Sequence, residues 1–160
     1  KSTPLAIDLF PGTLDTCSGP LTAFHTPGHA KDHLVYLLPD RGILFSGDLY
    51  LGDRIKYFRA DEDMGAQIAS LKKVLTLDFD MLLCCHRPRS RKGKIHIQRK
   101  LMFLEELYGN IIHLHKKGLP ARQILSALNL KEDYFIKYFC FGNVSMINGI
   151  RSALRHHLNA

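Results

Sequence analysis

Phe24-His-Thr-Pro-Gly-His-Ala-Lys-Asp-His-Leu34 sets His25, His29, His33 and Asp32 around one Pro27-Gly28 turn. Imidazoles four residues apart share a face in a helix, but proline followed by glycine forbids a regular helix through them. Apolar runs flank the stretch, residues 21–24 before it and 34–38 after it. The stretch therefore reads as a loop between two strands. Such a loop can aim an imidazole into a site while the sheet beneath holds it still.

Outward from that loop, further chain segments end on residues of the same chemical kind. Residues 33–38 and 43–45 are short apolar runs joined by Pro39-Asp40-Arg41-Gly42, which is good turn chemistry, so an antiparallel hairpin is expected. The second run ends in Ser46-Gly47-Asp48. The glycine permits an unusual backbone angle and the carboxylate at the strand end is placed to point into a site. Asp61 or Asp63 opens a helix to about residue 77, with Ile68, Leu71, Val74 and Leu75 on one face. Residues 81–85 form an apolar run readable as a buried strand, and it ends at His86. Upstream, residues 5–10 are one more strand candidate, followed by turn-rich sequence to Pro20.

Downstream, a basic loop over residues 87–93 leads into a long helix over residues 95–117, with Ile97, Leu101, Leu104, Tyr108 and Ile111 as its buried stripe. Gly118 suits the C-cap and Pro120 the first turn of the next helix. Helices are expected over residues 121–128 and 131–141, then a final one to about residue 157 after Gly142-Asn143. His113-Leu-His115 falls mid-helix and reads as exposed or packing.

The 160 residues, 46% of them hydrophobic, suffice for one core, and no run is long enough to span a bilayer. Cys17, Cys84, Cys85 and Cys140 lack C-x-x-C spacing and read as free thiols of a reducing, cytoplasmic compartment. The net charge of +7 is local: Arg87, Arg89, Arg91, Lys92, Lys94, Arg99 and Lys100 lie between Met81 and Leu104 without one acid, and fifteen basic residues face fifteen acidic ones elsewhere. That balance favours a local anion site over general nucleic-acid coating. Lys94, Arg99 and Lys100 also sit in the first turns of a helix, where the macrodipole disfavours cations unless an anion is present. Arg91, Lys92 and Lys94 are the expected holders of an acidic substrate group beside the site.

His29, Asp48 and His86 each stand where an expected strand runs out. If those strands are neighbours, two imidazoles and a carboxylate converge, a donor set suited to zinc, or to iron or manganese. Each also suits a turn former or a satisfied polar group, and spacing alone leaves both readings open.

Thr26-Pro-Gly-His29-Ala-Lys-Asp32-His33, then Phe45-Ser-Gly-Asp48, then Leu82-Leu-Cys-Cys-His86 together resemble the metallo-β-lactamase-fold hydrolases, closest to their glyoxalase II-like and β-lactamase-like branch. The resemblance implies an α/β (α+β) fold, the second half of an αββα sandwich, over residues 1–117, with a small winged-helix-like helical appendage over residues 118–160. It implies that His29 and His86 each anchor one of two metals, zinc foremost, and that Asp48 bridges them. It implies a water-activating hydrolase of an ester, thioester or lactone. His33 either donates to substrate, a catalytic role, or supports the loop; Asp32 either orients a ligand imidazole from behind or bonds its own backbone. His25 has no ligand role.

The family's H-x-H-x-D-H motif is absent from these 160 residues, so the expectation is a C-terminal portion of a longer hydrolase, incomplete by itself. The expected partners are a small anionic substrate and either a homodimer mate or the missing N-terminal half, with no membrane. Two alternatives stand. One is a nuclease of the same fold whose basic patch contacts phosphates of nucleic acid. The other is a non-catalytic interaction module, in which Tyr134, Phe135, Tyr138, Phe139 and Phe141 form a partner surface rather than the commoner mini-core.

Overall fold

Leu37 pairs with Leu44 and Leu44 with Leu82, and this row of three apolar residues is where the sheet meets its helices. The computed structural model describes residues 12–159. Strands β1 (Thr13–Thr16), β2 (Gly19–His25), β3 (Leu34–Leu38) and β4 (Ile43–Phe45) run antiparallel in order, and β6 (Met81–Leu83) joins β4 in parallel. The expected hairpin over 33–38 and 43–45 is β3–β4, closed by a 3-10 turn at Pro39–Arg41 and by Gly42 at φ 57°. β1 was not foreseen, because Thr13–Thr16 has no apolar alternation and is exposed along its length. The strand candidate at 5–10 lies outside the described residues.

A parallel neighbour needs a crossover, and helix α1 (Met64–Leu75) supplies it between β4 and β6. Asp63 starts α1 by accepting from the Ala66 amide at 2.8 Å, an N-cap worth about 1 kcal/mol. Helix α2 (Gly93–Lys116) turns its stripe of Ile97, Leu101, Leu104, Leu107 and Ile111 against α1 and the sheet. Ile97, Leu101, Leu104 and Ile111 are buried as expected, while at the remaining place Leu107 is buried and Tyr108 only partly so. Helices α3 (Ala121–Ala127), α4 (Tyr134–Phe139) and α5 (Met146–Asn159) follow. A two-residue strand β7 (Val144–Ser145) pairs with β5 (Phe58–Arg59). Met146, Ile150 and Ala153 of α5 join the same apolar cluster as Val35, Leu44 and Leu82 of the sheet.

The two sheet faces differ in cover, not in polarity. Val35, Leu37, Leu44 and Leu82 are buried beneath the helices. The opposite row, Ala23, Tyr36, Phe45 and Leu83, is also apolar, yet Phe45 is 38% exposed. A sheet with one wetted face ordinarily alternates apolar with polar. The five aromatics of the 134–141 region are exposed, from 63% at Tyr134 to 98% at Phe141, so they build no mini-core. Among the described residues no helix is long and apolar enough to cross a membrane.

Candidate metal centre

The Thr26–His33 loop is held at three points before any functional group is considered. Thr26 donates its amide to the His33 carbonyl at 2.9 Å, closing the loop's neck. The Asp63 amide donates to the Gly28 carbonyl at 2.8 Å and Ser70 Oγ to the Pro27 carbonyl at 2.7 Å, so the start of α1 clamps the tip. Gly28 has φ 132°, and a Cβ there would lie 2.5 Å from the Gln67 backbone nitrogen. The loop approaches the helix as closely as only glycine allows.

That clamp sets His29. Its Nδ1 lies 2.7 Å from Glu62 Oε1, and Glu62, 6% exposed, also accepts from Gln67 Nε2 at 3.1 Å. Burial pushes the Glu62 carboxyl up, against the pull of His29 and Lys100. A carboxylate can only accept, so Nδ1–H points to Glu62 and Nε2 presents its lone pair on the far side of the ring. There Nε2 meets Asp48 Oδ2 at 3.4 Å. His86 Nε2 meets the other oxygen, Asp48 Oδ1, also at 3.4 Å.

Asp48 thus faces one imidazole with each oxygen. Both separations exceed an ordinary hydrogen bond. Oδ1 is buried and has no hydrogen-bond partner, a state that costs about 1–3 kcal/mol when nothing fills it. Two donors each about 2.1 Å from one tetrahedral ion stand about 3.4 Å apart. Among the described residues no three His, Cys, Asp or Glu side chains form one group able to hold an ion. The arrangement is two half-sites of two donors sharing a carboxylate. Nitrogen and carboxylate donors suit zinc, iron or manganese, so the residues present fit the implied metals in kind.

His33 comes to the same place. Its Nδ1 is 2.9 Å from Thr26 Oγ1, its ring sits edge-on to His29 at 6.1 Å between centroids, and a Cβ on Gly47 would lie 3.0 Å from its Nε2. Burial, then the neighbouring His29, lowers its pKa, with Asp48 opposing, so the ring is held towards its neutral form. Asp32 is exposed, and the acceptor behind His29 is Glu62. The sequence had no periodic signal for Glu62, which precedes α1 in an irregular stretch. His25 donates to or accepts from nothing at the site; its Nε2 meets the Lys31 carbonyl at 2.7 Å.

The basic patch is not where the sequence put it. After His86 the chain doubles back, Leu82 bridging to Arg89, and Gly93 N reaches the Asp80 carbonyl at 2.6 Å. Lys92 and Lys94 therefore sit at the start of β6, whereas His86 follows its end. Lys92 N donates to Asp80 Oδ1 at 2.8 Å and Lys94 Nζ lies 3.6 Å from Asp78. Arg91 is exposed in the same return segment. These three do not gather beside Asp48. The head of α2 is met by the chain itself: His96 Nδ1 lies 2.8 Å and Arg99 Nη1 3.5 Å from Asp53, which Tyr50 also bonds at 2.6 Å. Burial alone would raise the Asp53 carboxyl, but the Tyr50 and His96 hydrogen bonds hold it below its usual range.

Lys100 departs furthest from expectation. It is 1% exposed, and its Nζ donates to the Leu49 carbonyl at 2.6 Å. Burial brings its pKa down to about 8, with Glu62 and Asp48 opposing. Position 100 falls three after Ile97 and four before Leu104, on the stripe itself, and that spacing is the signal that could have found it.

Residues 18–86 match the family model of the metallo-beta-lactamase superfamily. The chain is a metallo-β-lactamase-fold protein. The matched span runs from β2 to His86 and so contains all three candidate ligands. The lactamase-like protein aptB of Emericella nidulans is 33% identical over 119 residues, covering 68% of this chain and 38% of that protein. A beta-lactamase-like protein 2 homolog of Drosophila melanogaster is 45% identical over 53 residues, 33% of this chain and 17% of its own length. An atrochrysone carboxyl ACP thioesterase of Aspergillus chevalieri is 43% identical over 51 residues, 32% and 16% of the two lengths. The chain thus spans well under half the length of each of these relatives. Among solved structures, a metallo-beta-lactamase family protein of Thermus thermophilus superposes with a TM-score of 0.55 at 20% identity over 66% of this chain and 37% of that one. The sec-alkylsulfatase Pisa1 of a Pseudomonas species gives 0.62 at 18% identity over 74% and 21%. At these identities the likeness is one of fold.

Proposed function

We propose that the chain supplies one side of a divalent-metal centre in a hydrolase of ester or thioester bonds. The observation that carries this reading is Asp48, whose two oxygens each face one imidazole at 3.4 Å while Oδ1, buried, bonds to nothing. His29 and His86 would each hold one ion and Asp48 both. The family's H-x-H-x-D-H motif, absent from these residues, is where the remaining donors are expected. A bound divalent metal supplies Lewis acidity and a water acidic enough to act as a nucleophile near neutral pH.

What the chain's own residues do follows from their surroundings. Glu62 fixes the tautomer of His29 and so directs its Nε2 lone pair at the centre. The Thr26–His33 hydrogen bond and the contact with Gly47 keep a largely neutral imidazole beside Asp48, able to donate or accept one proton. The thioester preference rests on a relative named as a thioesterase.

Metal uptake is the first test. The chain is dialysed against zinc, iron(II) and manganese(II), and bound metal is counted by mass spectrometry. Release of thiol from short acyl thioesters is then followed. Uptake that disappears in Asp48→Asn and falls in His29→Ala and His86→Ala is the expected result. Uptake indifferent to all three would end the proposal.

A further inference from the structure

A buried lysine needs a reason, and the interior of α2 contains one. A lysine ammonium carries three N–H donors and loses more on leaving water than almost any other group. Lys100 is 1% exposed, and among the described residues its hydrogen bond goes to one acceptor, the Leu49 carbonyl at 2.6 Å. The opposite charges it faces are the carboxylates of Asp48 and Glu62. A methionine or leucine would fill the same place on the stripe without that cost.

The acceptor explains the lysine. Leu49 directly follows Asp48 in the 3-10 turn Gly47–Leu49, which begins as β4 ends. The turn is fixed on its upstream side: Ser46 N donates to the Leu83 carbonyl of β6 at 2.8 Å, and Gly47, at φ 47°, lies against His33. Inside the turn, Leu49 N reaches back to the Ser46 carbonyl at 3.0 Å. The Leu49 carbonyl is the first downstream group with a partner outside the segment, and that partner is on α2. His96, one turn earlier in α2, and Arg99, directly before Lys100, take Asp53. The helix therefore grips residues 49–53 from one side, with Lys100 taking the carbonyl next to Asp48 in sequence.

Resting on the metal reading above, we propose that Lys100 is a positioning residue for Asp48. Its ammonium draws the Leu49 carbonyl onto α2 and so sets the height at which each Asp48 oxygen faces one imidazole. Its hydrogen bond goes to the backbone next to Asp48 rather than to either imidazole. Changes in such supporting groups usually weaken metal binding by about 10–100-fold.

The test has a metal-free arm and a metal arm, both on the full 160-residue chain. Without metal, amide hydrogen exchange at residues 47–50 is followed by NMR in the parent, Lys100→Met and Lys100→Arg. Lys100→Met is expected to exchange there at least tenfold faster, and Lys100→Arg, which keeps a charged donor, within about threefold of the parent. With zinc, competition against a chromophoric chelator is expected to give at least tenfold weaker binding in Lys100→Met, largely rescued by Lys100→Arg. Parent-like exchange and zinc affinity in Lys100→Met overturn the positioning role and leave the metal centre standing. A parent that takes up no zinc removes the metal reading, and the exchange arm then decides the role alone. If Lys100→Met does not fold, the parent still decides: a protected Lys100 ammonium resonance correlated through the hydrogen bond to the Leu49 carbonyl is expected, and a freely exchanging ammonium refutes the inference.

Discussion

The two ends of β6 carry similar residues and treat them oppositely. At its start, Asp80 accepts from the Lys92 amide through its side chain and from the Gly93 amide through its carbonyl, and Asp78 pairs with Lys94. Both carboxylates there meet a partner within the chain. Beyond its end, His86 points at Asp48, and one oxygen of that carboxylate is buried without a hydrogen bond. An unmet polar group costs free energy in a fold that is only marginally stable, so it persists where something outside the chain completes it. Charge alone did not separate the two ends. Satisfaction did.

The comparison is broken or sharpened most strongly by matched changes at the two ends. Asp48→Asn is expected to lower zinc affinity by at least 100-fold. Asp80→Ala, at the other end, is expected to leave it within twofold and to cost about 1 kcal/mol in urea unfolding through the lost hydrogen bond. Equal effects of the two on zinc would erase the distinction.

The next effect concerns the cation buried beneath the site end. Folding holds the Lys100 pKa near 8, below its value in the unfolded chain, so between about pH 8 and 10.5 the unfolded state binds more protons and stability rises with pH. The gain from pH 7 to 10 is on the order of 2 kcal/mol, and it should be missing in Lys100→Met. Parallel stability curves for the two proteins over that range would contradict the burial of a charged lysine.

Smaller again is Glu62→Gln, which keeps an acceptor behind His29 but removes its charge; zinc affinity is expected to drop about tenfold. Smallest is the Arg91→Ala/Lys94→Ala pair at the satisfied end, expected to change stability by less than about 0.5 kcal/mol and zinc affinity not measurably. A tenfold loss of zinc in that pair would return the basic segment to the site.

What could be read from the sequence divides along the same line. Strand ends were legible, because Pro39–Arg41 with Gly42, Gly47 and the apolar run before His86 are local signals, and the hairpin register then follows from apolar matching. Local signals also narrowed the cap of α1 to Asp61 or Asp63, of which Asp63 is the one that caps. The direction of the chain after His86 was not legible. A linear reading set Arg91, Lys92 and Lys94 beside His86 because they follow it, whereas the return of the chain against Leu82 carries them back to the start of the strand. Glu62 was missed since its partner His29 lies 33 positions away and no pattern links them. Lys100 is hidden for a different reason: its charge argues for the surface, and only its place on the stripe argues for burial. Composition favours a core for the aromatics of α4, yet a six-residue helix has too little facing surface to bury them.

Zinc X-ray absorption of the loaded chain tests the central claim most directly. The account requires nitrogen and oxygen scatterers at about 2.0–2.1 Å with the outer-shell pattern of imidazole, a pattern that His29→Ala/His86→Ala abolishes. Sulfur scatterers at about 2.3 Å would instead place the metal on Cys84 and Cys85 and contradict the shared carboxylate at Asp48.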